Sequence, residues 1–177
     1  MFKNTSTSYG SVSRSFHWLM AILVIGMICV GWYMSSLSPS DYKWTVYGLH
    51  KSFGMLVLFL IVLRTIWRFS NRTPDFPIST PRYQKIAARL THVCLYLFMF
   101  IMPISGMLMS LFGGHDVSFF GIVTIPTSGK FEFSNLSKEM HEYGAIILAG
   151  IICLHLIAAL YHHFKLKDDV MMRMIRR

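Results

Sequence analysis

Charge is scarce in this chain. Of its 177 residues only 14% are charged, while 54% are hydrophobic, a balance too apolar for a soluble domain of this size. Acidic groups are the scarcer kind: eight Asp and Glu stand against 17 Lys and Arg, a net charge of +9. In a soluble protein that excess would suggest nucleic acid. Here the basic residues flank long apolar runs, so the excess reads as membrane topology and nucleic acid is not expected as a partner. Cysteine is limited to Cys29, Cys94 and Cys153, each within an apolar run and distant from the others, which speaks against a disulfide framework and a zinc site. No C-x-x-C-H occurs, so a thioether-attached haem of the c type has no support. A cleavable signal is lacking too: the first apolar run begins near Phe16, passes Tyr33 and ends without a small-residue cleavage site, and is expected to stay as an anchor.

What is present is apolar length. Four runs, at about 16–37, 50–70, 90–112 and 141–164, are long enough to cross a hydrocarbon core of about 30 Å, which takes roughly 20 helical residues. The expected fold is an all-α integral membrane protein, a four-transmembrane-helix bundle forming a single domain over 1–177. One side carries Lys3, Arg14, Arg64, Arg68, Arg72, Arg82, Lys85, Arg89, Lys165, Lys167, Arg173, Arg176 and Arg177; the other has Lys43, Lys51, Lys130 and Lys138. Thirteen against four puts both termini on the cytoplasmic side. In the inner loop, Ser79-Thr80-Pro81 suggests a helix capped by Thr80 and started by Pro81, running along the membrane surface into the third span. The outer loop, about 113–140, mixes glycines with aromatic and β-branched residues and is expected to fold back over the helix ends. Ser134 or Ser137 is a candidate cap for the fourth span. Pro103 and Gly106 inside the third span suggest a local kink, tolerable where neighbouring helices satisfy the freed carbonyl.

Seven of the eight histidines, His17, His50, His92, His141, His155, His162 and His163, fall in or at the ends of these spans. Ionisable groups at membrane depth are costly and usually mark function. His141 and His155 are 14 residues apart, which returns to within about 40° of the same helix face and rises about 21 Å. One helix thus offers two ligands at two depths, one for an outer and one for an inner haem. Topology pairs His50 with His141 and His17 with His155. Two imidazoles on each iron leave no open position, favouring electron transfer over oxygen binding. His162, seven residues beyond His155 and on nearly the same face, stays open as an alternative lower ligand. His92, His162 and His163 also suit an interfacial role, or proton transfer and quinone binding. His115 reads as a loop residue. Zinc would need three or four convergent ligands, whereas these histidines are spread over both faces.

The motifs Phe16-His17-Trp18, Leu49-His50-Lys51-Ser52 with Gly54, Leu63-Arg64 with Trp67-Arg68, Thr91-His92 and Met140-His141-Glu142 are joined by His155, His162-His163-Phe164 and Lys167-Asp168-Asp169 with Arg173-Met174. Together they resemble the bacterial cytochrome b-561 family, best known for superoxide oxidase, from about residue 9 onward. The resemblance implies a four-helix bundle with two b haems on His17, His50, His141 and His155. It also implies electron flow between ubiquinone in the bacterial inner membrane and a reactant at the outer face, superoxide in the oxidase members. The framework resembles the cytochrome b subunits of hydrogenases and formate dehydrogenases as well.

The chain departs from that picture in charge. A collector of the superoxide anion gains from a positive funnel, yet the four outer lysines face Asp41, Asp116, Glu132, Glu139 and Glu142, leaving −1. Lys51, beside His50, is the residue expected to attract the anion, with Lys130 and Lys138 also near. At the inner mouth Arg14, His92 and His162 are candidates for quinone and proton handling. Arg64, Arg68 and Arg89 suit either haem propionates or plain topology. The expected function is a superoxide:ubiquinone oxidoreductase; the alternative is a haem-bearing relay or anchor joining the quinone pool to a periplasmic partner protein.

Overall fold

The computed structural model describes residues 1–78, 80–127 and 129–175. Ser79, Arg176 and Arg177, used above, lie outside the described residues. Four long helices dominate: α1 Ser11–Ser36, α2 Asp41–Phe69, α3 Arg82–Leu111 and α4 Phe133–Tyr161. All four are long and apolar enough to cross a membrane. Between α3 and α4 lies a small antiparallel hairpin, β1 Val117–Phe119 and β2 Val123–Ile125, with Val117 opposite Ile125 and Phe119 opposite Val123. After α4 the chain widens into a π-helical turn, His162–Leu166, and the described residues close with the short helix α5 Met172–Ile175.

The helices begin earlier than the apolar runs do. α2 starts nine residues before His50 and α4 eight before His141. Their first turns are polar helix that hydropathy alone does not register. α2 is capped by Ser40, whose hydroxyl accepts the Lys43 N–H at 3.2 Å, with Asp41 at the positive end of the helix dipole. Neither Ser134 nor Ser137 caps α4: the helix opens after Glu132, and Ser137 is buried inside it, its hydroxyl donating to the Phe133 carbonyl at 3.0 Å. Thr80 does not cap α3 either. Pro81 takes the N-cap position in extended conformation and the helix follows at Arg82. Among the described residues no separate surface helix precedes the third span; α3 runs unbroken from Arg82 through Pro103 to Leu111.

In lipid, helices associate through close packing and polar contacts rather than by escaping water. The core is correspondingly small. Met20 and Val24 of α1, Val57 and Ile61 of α2, Met99 of α3 and Leu148 of α4 form one buried cluster, placed midway along each helix. Many other apolar side chains point outward, among them Ile22, Phe59, Ile66 and Ile157, as a lipid-facing surface requires. The most extensive helix contact is between α3 and α4, where Gly106 and Gly144 let side chains of the opposite helix approach the backbone.

The two ends differ in construction. At one end the amino-terminal segment, the α2–α3 loop and the carboxyl-terminal segment are tied together. Asp75 N–H donates to Ser6 O at 2.8 Å, Asn4 Nδ2 to Arg72 O at 2.8 Å, Arg173 Nη1 to Asp75 O at 2.8 Å and Trp18 Nε1 to Met174 O at 2.9 Å. The described amino-terminal and carboxyl-terminal segments therefore lie on the side of the α2–α3 loop. At the other end the hairpin folds back over α2, as the outer-loop composition suggested. The Ser52 hydroxyl, 4% exposed, lies 2.8 Å from the Ser118 carbonyl and accepts the Phe120 N–H at 3.1 Å. That bond and the edge contact of Phe120 with Phe53, 5.1 Å between ring centres, hold Phe120 at φ 49, a left-handed conformation costly for a side chain of this size.

Two outcomes follow from this arrangement. Single cysteines introduced as Lys3→Cys and Glu139→Cys, both exposed sites, are expected to react with a membrane-impermeant maleimide from opposite faces of sealed vesicles. Ser52→Ala removes the acceptor for Phe120 N–H, a part-buried bond worth about 0.5–1.5 kcal/mol; amide exchange at Phe120 is expected to quicken while that of α1 does not change.

Candidate functional site

The histidines gather at two levels. At the hairpin end the rings of His50 and His141 lie 6.3 Å apart, centre to centre. At the termini end His17 and His155 are separated by the same 6.3 Å. Both pairs are those that topology suggested. His92 joins the second level, its ring 5.6 Å from that of His155.

The spacing noticed on α4 is repeated on every spanning helix. Counting 14 residues along α1 leads from His17 to Gly31, along α2 from His50 to Arg64, along α3 from His92 to Gly106, and along α4 from His141 to His155. Each interval nearly restores the same helix face and rises about 21 Å. The contacts agree with this layering. A Cβ on Gly31 would sit 3.5 Å from His50 Cε1, and one on Gly106 would sit 2.9 Å from His141 Cε1 and 3.1 Å from its Nδ1. At the other level Arg64 Nη2 is 3.4 Å from His17 Nδ1. Sequence reasoning found this period on α4 alone, because a glycine in an apolar helix carries no polar signal.

The imidazoles are oriented by neighbouring groups. His141 Nδ1 lies 2.9 Å from the Met102 carbonyl and 3.3 Å from Ser105 Oγ. A carbonyl only accepts, so this contact keeps the proton on Nδ1 and leaves the Nε2 lone pair unengaged, as a metal-ligating imidazole requires. Gly106, one turn beyond Met102, is what lets the ring reach that carbonyl. His50 Nδ1 is buried and has no hydrogen-bond partner.

The remaining candidates fall into three places. Lys51 is half-buried, and its ammonium turns toward the root of the hairpin, donating to Asp116 O at 2.6 Å and Ser110 Oγ at 3.3 Å. His162 opens the π-helical turn and is held by Asp168, Nδ1 to Oδ2 2.5 Å; its ring is occupied there, not with the His17 and His155 pair. Arg14 lies one turn before His17, its Nε buried without a partner. Arg64 and Arg68 both face the Tyr96 ring, at 5.5 and 5.4 Å, whereas Arg89 stacks over Phe76 at 5.8 Å. A cavity of about 30 Å³ lies beside them, lined by Tyr9, Ser13, Arg64, Trp67, Arg68 and Tyr96 among others; burial pushes the Tyr9 hydroxyl above its ordinary pKa, against the lowering by Arg68. His115 is an exposed loop residue.

Residues 8–177 match the family model described as prokaryotic cytochrome b561. The chain belongs to that family. It is 36% identical to "Cytochrome b561 homolog 2" of Escherichia coli (strain K12), an alignment covering 98% of this chain and 94% of that protein. Identity to "Cytochrome b561 homolog 1" of the same strain is 30%, over 91% of this chain and 93% of that protein. With a protein named "Probable superoxide oxidase CybB" from Yersinia pestis it is 29%, over 94% and 95%. Cytochrome b561 membership implies membrane electron transfer on b-type haem.

The histidine pairs fit that group. An imidazole nitrogen bonds a metal at about 2.0 Å and sits about 1.1 Å from its ring centre, so two imidazoles on opposite sides of one metal have centres about 6.2 Å apart. Both pairs, at 6.3 Å, meet that requirement; His92 and His155, at 5.6 Å, fall short of it. Gly106→Val is expected to push His141 off the Met102 carbonyl and to lower the haem-to-protein absorbance ratio of the purified cytochrome. Gly26→Ala, where an added Cβ meets nothing within 4 Å, is expected to leave that ratio as it is.

Proposed function

We propose that this cytochrome b561 binds two b haems, one between His50 and His141 and one between His17 and His155, and transfers electrons between superoxide at the hairpin face and ubiquinone at the termini face. The observation that carries the reading is the pair of 6.3 Å imidazole separations at two levels, 14 residues apart on α4. With thirteen basic residues on the termini side against four, that side is the cytoplasmic face of the bacterial inner membrane.

Bis-imidazole haem supplies one-electron transfer with no open coordination position. The chain's own residues do the rest. His141 is held in its ligating tautomer by Met102 O, and Gly31 and Gly106 keep the hairpin-end level open. The Met, Val, Ile and Leu cluster of the midplane fixes the spacing between levels. At the termini end His92 and Arg14 border the level of His17 and His155, and the His162–Asp168 pair stands at its mouth; these are the groups that deliver protons to, and orient, a quinone reduced there.

A second reading has an observation in its favour. The Lys51 ammonium is engaged at the hairpin root and the hairpin face sums to −1, a poor collector of an anion. The hairpin tip, by contrast, exposes Phe120, Ile122 and Val123. On that reading the hairpin docks a periplasmic redox protein and the cytochrome is a relay.

A reduced-minus-oxidised spectrum with haem stoichiometry, followed by addition of superoxide and then a quinone analogue, separates these. Two haems per chain reduced by superoxide and reoxidised by quinone support the oxidase; two haems indifferent to superoxide support the relay. His50→Ala or His141→Ala is expected to lose one haem, and His17→Ala or His155→Ala the other. Full haem content in any of the four would remove that residue from the ligand set.

A further inference from the structure

The two levels differ in what the non-pairing helices present to them. At the hairpin end α1 and α3 contribute Gly31 and Gly106; at the termini end α2 and α3 contribute Arg64 and His92. Arg64 is the cation placed against the pair of His17 and His155, 3.4 Å from His17, and the Arg68 guanidinium, one turn further along α2, also lies against Tyr96. Among the described residues neither arginine forms a salt bridge. The carboxylates of that end are committed elsewhere: Asp75 to Arg72, Asp168 to His162 and Asp169 to Arg173. At the hairpin end Lys51, next to His50, turns its ammonium to the Asp116 carbonyl at 2.6 Å, and Glu142, next to His141, pairs with Lys138.

A fixed positive charge in a poorly solvated site stabilises the redox state that holds one more electron, and local charge is one of the levers by which a protein sets haem potential. We propose that Arg64 raises the reduction potential of the haem at the His17 and His155 pair above that of the haem at the His50 and His141 pair, so that electrons settle at the termini end. The proposal rests on the two-haem reading above. Arg64 is a positioning residue for charge, not a group that touches a reactant.

The test is a potentiometric titration of the purified protein, followed in the visible spectrum, for wild type, Arg64→Gln and Arg64→Lys. Wild type is expected to show two midpoints. Arg64→Gln is expected to lower the higher of them by about tenfold in equilibrium constant, which for one electron is about 59 mV, and to leave the lower in place. Arg64→Lys, which keeps the charge, is expected to hold the higher midpoint within that tenfold. Two haems with coincident wild-type midpoints, an Arg64→Gln shift confined to the lower midpoint, or no shift at all would overturn the proposal. If Arg64→Gln fails to retain both haems, Arg64→Lys decides: a higher midpoint displaced tenfold or more rules out charge as the cause. A wild-type preparation with fewer than two haems per chain overturns the two-haem reading itself, and this inference with it.

Discussion

Fourteen residues of α-helix rise about 21 Å and come back to nearly the same face, and all four spanning helices are built on that interval. It makes the bundle a stack of two similar floors. On each floor α4 supplies one histidine; its partner comes from α2 on one floor and from α1 on the other. The remaining helices then determine what the floor is like, with glycine on one and arginine or histidine on the other. Between the floors a small apolar cluster contributed by every helix sets the spacing. Helix length, the placement of glycine and the direction of each chain crossing all serve that constraint.

Much of this was legible in the sequence, and the reasons differ by feature. The spans were, because a membrane demands a run of apolar residues of set length. Their beginnings were not, since Asp41 to Tyr47 and Phe133 to Glu139 are helical while looking like loop to hydropathy. The cap of α4 was misread for a related reason: Ser134 and Ser137 are placed within a helix that had already started. His141 and His155 stood out as polar residues in an apolar helix. Gly31 and Gly106 did not, since glycine is common in spanning helices and their value lies in what approaches them.

The hairpin illustrates a different limit. Its composition announced a segment that folds back, but not that two neighbouring α2 residues would be the anchors. Lys51 and Ser52 follow His50 directly, so the side chains that fasten the hairpin and the ring that faces His141 belong to one helical turn. Lys51 looked like an attractor for an anion because it stood beside a ligand candidate in sequence. In space its ammonium is turned to a backbone carbonyl, where it serves to hold the hairpin.

The midplane cluster has a consequence for energy conversion. Met20, Val24, Val57, Ile61, Met99 and Leu148 carry no group that can donate or accept a proton. An electron can tunnel through such a layer, whereas a proton needs a chain of hydrogen-bonded groups, which these six side chains do not supply. On the two-haem reading these six side chains let an electron through and offer a proton no relay. On the two-haem reading proposed above, each electron that passes between the floors displaces a charge that these side chains give no proton a path to accompany, and that displacement is coupled to the membrane voltage at about 2.3 kcal/mol per 100 mV for a full crossing.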